Sequence, residues 1–144
     1  MNKREMYKTA LDLAQYYHKG QVDKGGEDYI KHPLILSHRA KGENEKIVAI
    51  LHDIIEDSEC TKEILLKKGI SPEIVDAVDA ITQRKNENRR AYLSRVKKNP
   101  LAKNVKLLDL EHNSDISRIK NPTYKDYLRI ERYHAEMFYL QEKS

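Results

Sequence analysis

Residues 51–57 read Leu-His-Asp-Ile-Ile-Glu-Asp. One imidazole and three carboxylates therefore sit inside an apolar run formed by Ile47-Val48-Ala49-Ile50-Leu51 and Ile54-Ile55. Burying such groups is costly unless they are paired or bound to a cation. His52 and Glu56 are four positions apart, as are Asp53 and Asp57, so a continuous helix would place each pair on one face. That pattern suits cation binding or proton transfer.

Three further positions extend it. His32 precedes Pro33, Asp109 interrupts Val105-Lys106-Leu107-Leu108-Asp109-Leu110, and Asn113 lies one helical turn after Asp109. Each alone has an ordinary reading: a histidine near a helix start is usually structural, and an aspartate in a helix is usually solvated. Their order is more informative. A histidine, then an adjacent His-Asp pair, then a distant aspartate supply two imidazoles and two carboxylates. This mixed N/O shell suits Mn²⁺, Fe²⁺ or Zn²⁺. On a six-coordinate ion it leaves positions for water and a phosphate oxygen. A second complete ligand set is not evident, so one divalent ion is expected.

The elements that must position these groups read as helices. Met6, Thr9, Ala10, Leu13, Ala14 and Tyr17 fall at helical spacing over 3–18, with Gly20 as a stop. Gln21 to Tyr29 reads as a polar loop. Pro33 suits the first turn of a second helix running to about Lys41, and a third covers about Asn44 to Asp57. Thr61 caps a short helix to Lys68, closed by Gly69, and Ser71-Pro72 opens one through Gln83. After a loop at Asn86–Asn88, helices are expected at about 89–98, 100–113 and 122–142. The last two would start at Asn99-Pro100 and Asn121-Pro122, each an asparagine cap followed by proline. No segment reads convincingly as a strand, repeat or linker. The fold class is all-α, a compact domain of about six to eight helices over residues 1–144.

Hydrophobic residues make up 39% of the 144 and charged residues 35%, a balance that fits one soluble domain with a charged surface. No apolar run approaches the roughly 20 residues of a membrane span, and no signal-peptide core follows the N-terminus. Cys60 is the single cysteine, so an internal disulfide is excluded and a cytoplasmic location is expected. Nothing suggests a basic partner that would make it a nucleophile. The net charge is +4. It is concentrated between Arg84 and Lys98, where seven basic residues face Glu87 alone. A solvated helix face is the ordinary reading of that run, and a lip attracting a polyphosphate the sharper one. Nucleic acid is not expected as a partner, because recognition motifs and interleaved aromatics are lacking.

The His…His-Asp…Asp pattern resembles the HD superfamily of metal-dependent phosphohydrolases. The words Gly20-Gln21, Lys24-Gly25-Gly26-Glu27-Asp28-Tyr29-Ile30-Lys31-His32-Pro33, Leu51 to Asp57 and Val105 to Asn113 resemble the hydrolase domain of the RelA/SpoT family. The resemblance spans roughly residues 7–120. It implies an Mn²⁺-dependent enzyme that removes pyrophosphate from the 3′ position of the alarmone (p)ppGpp, of the small stand-alone type without a synthetase half. It assigns His32, His52, Asp53 and Asp109 to the metal and Glu56 and Asp57 to catalysis, orienting and deprotonating water and handling the leaving group's proton. Lys24, Tyr29 and Asn113 would contact substrate, with packing beside the site as the ordinary reading of Tyr29. His18 also matches a family histidine, with a structural hydrogen-bonding role as its ordinary reading.

The chain departs from the family pattern at three places. Asp23 stands where long members usually carry an arginine beside the guanine base, Asp28 replaces a common proline, and Asp115 stands where arginine is frequent. Acidic groups at positions 23 and 115 would repel a polyanion unless compensated, and Arg118 and the 84–98 run are the candidates. Two alternatives to alarmone hydrolysis remain open: an HD-type phosphohydrolase acting on another nucleotide phosphate, and a non-catalytic nucleotide- or nucleic-acid-binding module. Oligomeric state is not legible.

Overall fold

The structure, a computed structural model, describes residues 1–143. Nine helical segments follow in order: α1 (Lys3–Tyr17), α2 (Lys31–Arg39), α3 (Glu43–Leu51), α4 (Ile54–Asp57), α5 (Lys62–Lys67), α6 (Pro72–Ile81), α7 (Arg89–Lys98), α8 (Pro100–Asn113) and α9 (Tyr124–Gln141). Eight exceed one turn, and α4 is a single turn. A 3-10 turn, Ile116–Arg118, joins α8 to α9. Among the described residues the one strand-like feature is an isolated antiparallel bridge, Val22 to Asp28, that closes the loop after α1. The architecture is all-α, as the periodicity predicts.

Helix α3 is the centre. Ile47 through Leu51 are all fully buried, so the second half of this helix is apolar all round, and the helix packs against α1, α2, α6 and α8. Each such aliphatic side chain contributes about 1.5–3 kcal/mol by leaving water. Helix α8 packs on α2, α3, α6, α7 and α9, so it carries Asp109 against the end of α3.

Helices α5 and α8 start at caps read from the sequence, and α7 starts at Asn88, the last residue of the expected loop. The side chains of Thr61, Asn88 and Asn99 accept from the backbone N–H groups of Ile64, Ala91 and Ala102. Gly69 takes φ +94°, the left-handed stop expected after α5. Ser71 precedes Pro72 at the start of α6 as expected, but its side chain makes no cap bond. Two further expectations fail. Helix α9 begins at Tyr124, because Thr123 and Asp126 form a reciprocal capping box while Asn121 turns to φ 51°. The third helix is not continuous to Asp57. It stops at Leu51, where the His52 N–H reaches back only to the Ala49 carbonyl at 3.5 Å and the His52 ring takes the same carbonyl at 2.7 Å. Asp53 then sits at φ −107°, ψ 2°, in the bridge region between helical segments. The His52/Glu56 and Asp53/Asp57 pairs therefore straddle a break rather than sharing faces of one helix.

Candidate metal centre and cleft

The break in α3–α4 lets two adjacent residues point the same way. His52 and Asp53 meet His32 from the first turn of α2 and Asp109 from α8, with one donor atom from each within 4.8 Å of the others. His32 Nε2 lies 2.8 Å from Asp109 Oδ1, His52 Nε2 lies 3.0 Å from Asp53 Oδ2, and His52 Nε2 lies 3.5 Å from Asp109 Oδ1. Two ligands held at about 2.1 Å from one ion at right angles stand about 3 Å apart. The separations fit that geometry.

The tautomers fit as well. His52 Nδ1–H donates to the Ala49 carbonyl, so Nε2 carries the lone pair. That Nε2 is buried and has no hydrogen-bond partner, which leaves its lone pair open to a cation. His32 is ordered by His112, whose Nδ1 lies 2.6 Å from His32 Nδ1, with the rings stacked 15° from parallel. Burial, with Arg118 adding to it, pulls the His112 imidazole down to about 4. Neutral His112 can then accept from His32 Nδ1–H, which leaves His32 Nε2 free toward the cluster.

The two carboxylates are pulled in opposite directions. Burial and the nearby charge of Asp109 push the Asp53 carboxyl well above the ordinary range, and Tyr29 Oη donates to its Oδ2. Burial also acts on Asp109, but the Lys106 ammonium, 2.9 Å from Oδ2, and the two imidazoles override it and hold this carboxyl well below that range. Lys106 is itself buried, with its ammonium over the Tyr92 ring. Asn113 Nδ2 donates to Asp109 Oδ1 at 3.0 Å.

Over these groups lies a cleft with two lobes. The inner lobe, about 430 Å³, is walled by His32, Asp53, Asp109, Lys106, Glu56 and Arg89. The outer lobe, about 550 Å³, is walled by Gln21, Val22, Gly25, Asp115, Ile119 and Arg129. Asp23, Lys24, Tyr29, Asp57, Asn113, Arg118 and Tyr133 line both. The cleft is of ligand size and mostly polar near the metal donors. The candidate site residues gather here: His32, Asp53 and Asp109 at the floor with the buried His52 beside them, Glu56 and Asp57 on one wall, and Lys24, Tyr29 and Asn113 lining both lobes. Glu56 Oε1 is fixed by the Gln83 N–H at 2.9 Å. Burial and the neighbouring Glu56 raise the Asp57 carboxyl.

His18 is buried at the end of α1, bonded through Nδ1 to Gln21 Oε1 and packed on the Tyr29 ring, a geometry that matches its structural reading. Cys60 is buried and burial raises its thiol, so it offers no thiolate. Three members of the 84–98 basic run are engaged elsewhere. Arg84 pairs with Asp79, Arg95 with Glu87, and Lys97 lies over Tyr139. Arg89 is the member that lines the inner lobe, held by two 2.9 Å bonds to Glu136. Sequence reasoning gave no role to Lys106 or His112. The signal was present for Lys106, which shares an α8 face with Asp109 and Asn113 at i, i+3 and i+7.

Similarity to known proteins agrees with this geometry. No protein-family model matches the chain. A guanosine-3′,5′-bis(diphosphate) 3′-pyrophosphohydrolase of Borreliella burgdorferi is 34% identical over 85 residues, 56% of this chain and 13% of that protein. A GTP pyrophosphokinase of Myxococcus xanthus is 33% identical over 98 residues, 65% of this chain and 13% of that protein. The chain thus spans about an eighth of the length of these relatives. A solved structure described as a metazoan orthologue of SpoT that hydrolyses ppGpp superposes with a TM-score of 0.77 at 20% identity, covering 94% of this chain and 84% of that one. At that identity the likeness establishes the shared fold. In sequence and in fold the chain resembles the HD-type hydrolase domain of the RelA/SpoT family.

Proposed function

We propose that the protein is a manganese-dependent (p)ppGpp 3′-pyrophosphohydrolase, converting the alarmone to GDP or GTP and pyrophosphate. The observation that carries this is the buried, unpartnered His52 Nε2 within a four-donor cluster at the floor of a nucleotide-sized cleft. One relative named for the 3′-pyrophosphohydrolase reaction supports the choice of substrate.

In this reading His32, His52, Asp53 and Asp109 hold one divalent ion, Mn²⁺. Bound there, it supplies Lewis acidity that acidifies a water and counters phosphoryl charge. Glu56, fixed by the Gln83 N–H, orients the water and accepts its proton. Asp57, whose carboxyl is raised, passes a proton to the departing ribose 3′ oxygen. Lys24, Tyr29 and Asn113 position the nucleotide along the rim. The Arg89 guanidinium, oriented by Glu136, faces phosphate in the inner lobe. The unpaired, buried Cys60 supports a cytoplasmic site of action. Among the described residues no helix is long and apolar enough to cross a membrane.

The deciding experiment incubates Mn²⁺-loaded protein with ppGpp and pppGpp and measures pyrophosphate, GDP and GTP. Release of pyrophosphate in step with GDP or GTP is expected. No turnover of either alarmone by metal-loaded protein overturns the assignment. The second reading, another nucleotide 2′- or 3′-phosphate as substrate, is favoured by Asp23 in place of the arginine expected beside guanine. A nucleotide panel scored for phosphate against pyrophosphate separates the two.

A further inference from the structure

The two acidic departures, Asp23 and Asp115, are not loose negative charges at the rim. Asp23 Oδ1 accepts from the N–H groups of Gly25 at 2.9 Å and Glu27 at 3.0 Å, which ties the loop after α1 into a tight turn. Its Oδ2 faces the Arg118 guanidinium at 3.1 Å. Burial works against that charge, but the two N–H groups and Arg118 win and hold the carboxyl below its usual range. Asp115 Oδ1 accepts from the N–H of Ser117 at 3.0 Å and from its hydroxyl at 2.6 Å, which builds the 3-10 turn that carries Arg118. One carboxylate shapes the turn and the other pairs with the cation it presents.

Arg118 then reaches the metal floor in two bonds. Nη1 donates to the His112 carbonyl at 3.0 Å and to Asn113 Oδ1 at 3.2 Å. With its oxygen occupied, Asn113 must turn its NH₂ toward Asp109, where Nδ2 donates to Oδ1 at 3.0 Å. The chain Asp23–Arg118–Asn113–Asp109 is directional, and each member fixes the next. Gly25 belongs to the same contact, since a Cβ there would stand 2.5 Å from the Arg118 carbonyl oxygen. The three Arg118 side-chain bonds leave two of its five N–H groups free at the boundary of both lobes.

The geometry points to Arg118 as a positioning and specificity residue: with Asp23 it latches the rim loop to the metal floor, and it adds a cation to the outer lobe beside Lys24 and Arg129. The inference rests on the proposed metal site but not on the alarmone as ligand. Closing the latch orders the loop that carries Lys24 and Tyr29 and sets Asn113 as a donor to a metal ligand. A ligand oxygen at the lobe boundary would take the remaining Arg118 N–H groups.

The test titrates Mn²⁺ alone into wild type, Asp23→Asn, Arg118→Gln and the double variant by calorimetry. Hydrogen exchange of residues 19–29 is measured alongside. Asp23 bonds none of the four metal donors, and asparagine there still accepts from Gly25 and Glu27, so only the latch is lost. Each single variant is expected to weaken Mn²⁺ about tenfold and to speed loop exchange about tenfold. The double variant should be no worse than either single, since both break one chain. Wild-type Mn²⁺ affinity and loop exchange in Asp23→Asn, or fully additive losses in the double variant, would overturn the latch. Should Arg118→Gln not fold, Asp23→Asn decides alone. For whichever nucleotide is turned over at saturating Mn²⁺, Arg118→Lys should raise KM about tenfold with kcat within twofold, and an unchanged KM refutes the specificity role. If no nucleotide is turned over, the Mn²⁺ and exchange results still decide the latch while the hydrolase reading fails separately.

Discussion

His112 Nδ1 stands 2.6 Å from His32 Nδ1, with the two rings stacked across the interface of α8 and α2. A ring held neutral by burial thus serves as the acceptor that sets another ring's tautomer. Replacing His112 by leucine keeps the volume and removes the acceptor. His32 should then lose its fixed orientation, and Mn²⁺ affinity should fall 10- to 100-fold, the usual loss when an outer partner of a ligand is removed. Calorimetric titration reads it directly, and wild-type affinity would show that His112 only fills space.

His52→Ala and Asp53→Ala each remove a donor from the cluster. Both should lose bound metal and activity together, with metal content measured by elemental analysis after gel filtration. An active variant with a stoichiometric ion would show that the ligands lie elsewhere.

Glu56 is exposed and bonds the Gln83 N–H through one oxygen, an interaction that the amide oxygen of glutamine can also make. Glu56→Gln should therefore keep fold and metal while kcat drops about 100-fold or more, as for a lost general base. Single-turnover rates with metal content in parallel check this. Retained activity would assign the water to another group.

Glu87 anchors the turn before α7. Hydrogen bonds from Arg95 and from the Arg84 N–H pull its carboxyl down to about 2. A depressed folded pKa means that the unfolded chain takes up the proton first. The stabilisation is therefore full above about pH 4.5 and is lost as pH falls toward about 2. Thermal melts between pH 6 and pH 2 should show a steeper decline for wild type than for Glu87→Gln. Parallel curves would mean that the pair adds nothing.

Much of the candidate site was legible because the candidate donors stand out locally. His52 and Asp53 are adjacent in an apolar run, His32 sits beside Pro33, and Asp109 interrupts an apolar stretch, so residue type and helical period suffice to mark them. The break between α3 and α4 was not legible. Periodicity sees Ile54-Ile55 continue the apolar pattern, and only the competition of the His52 ring for the Ala49 carbonyl ends the helix. The start of α9 was misread for a related reason. Asn121-Pro122 has the composition of a cap, but the reciprocal bonds of Thr123 and Asp126 decide the first turn.

The sequence by itself determined the all-α class, the caps at Thr61 and Asn99 and the identity of the candidate donors, since each depends on neighbours within one or two turns. Tertiary structure alone decided which nitrogen of His32 faces the cluster, which of the two neighbouring aspartates has its carboxyl pulled down, and where the charge at Asp23 is answered. Those outcomes depend on His112, Lys106 and Arg118, which act through bonds only a few ångströms long. For His112 and Arg118 the partners are elements far apart in the chain, and no local pattern encodes such distances.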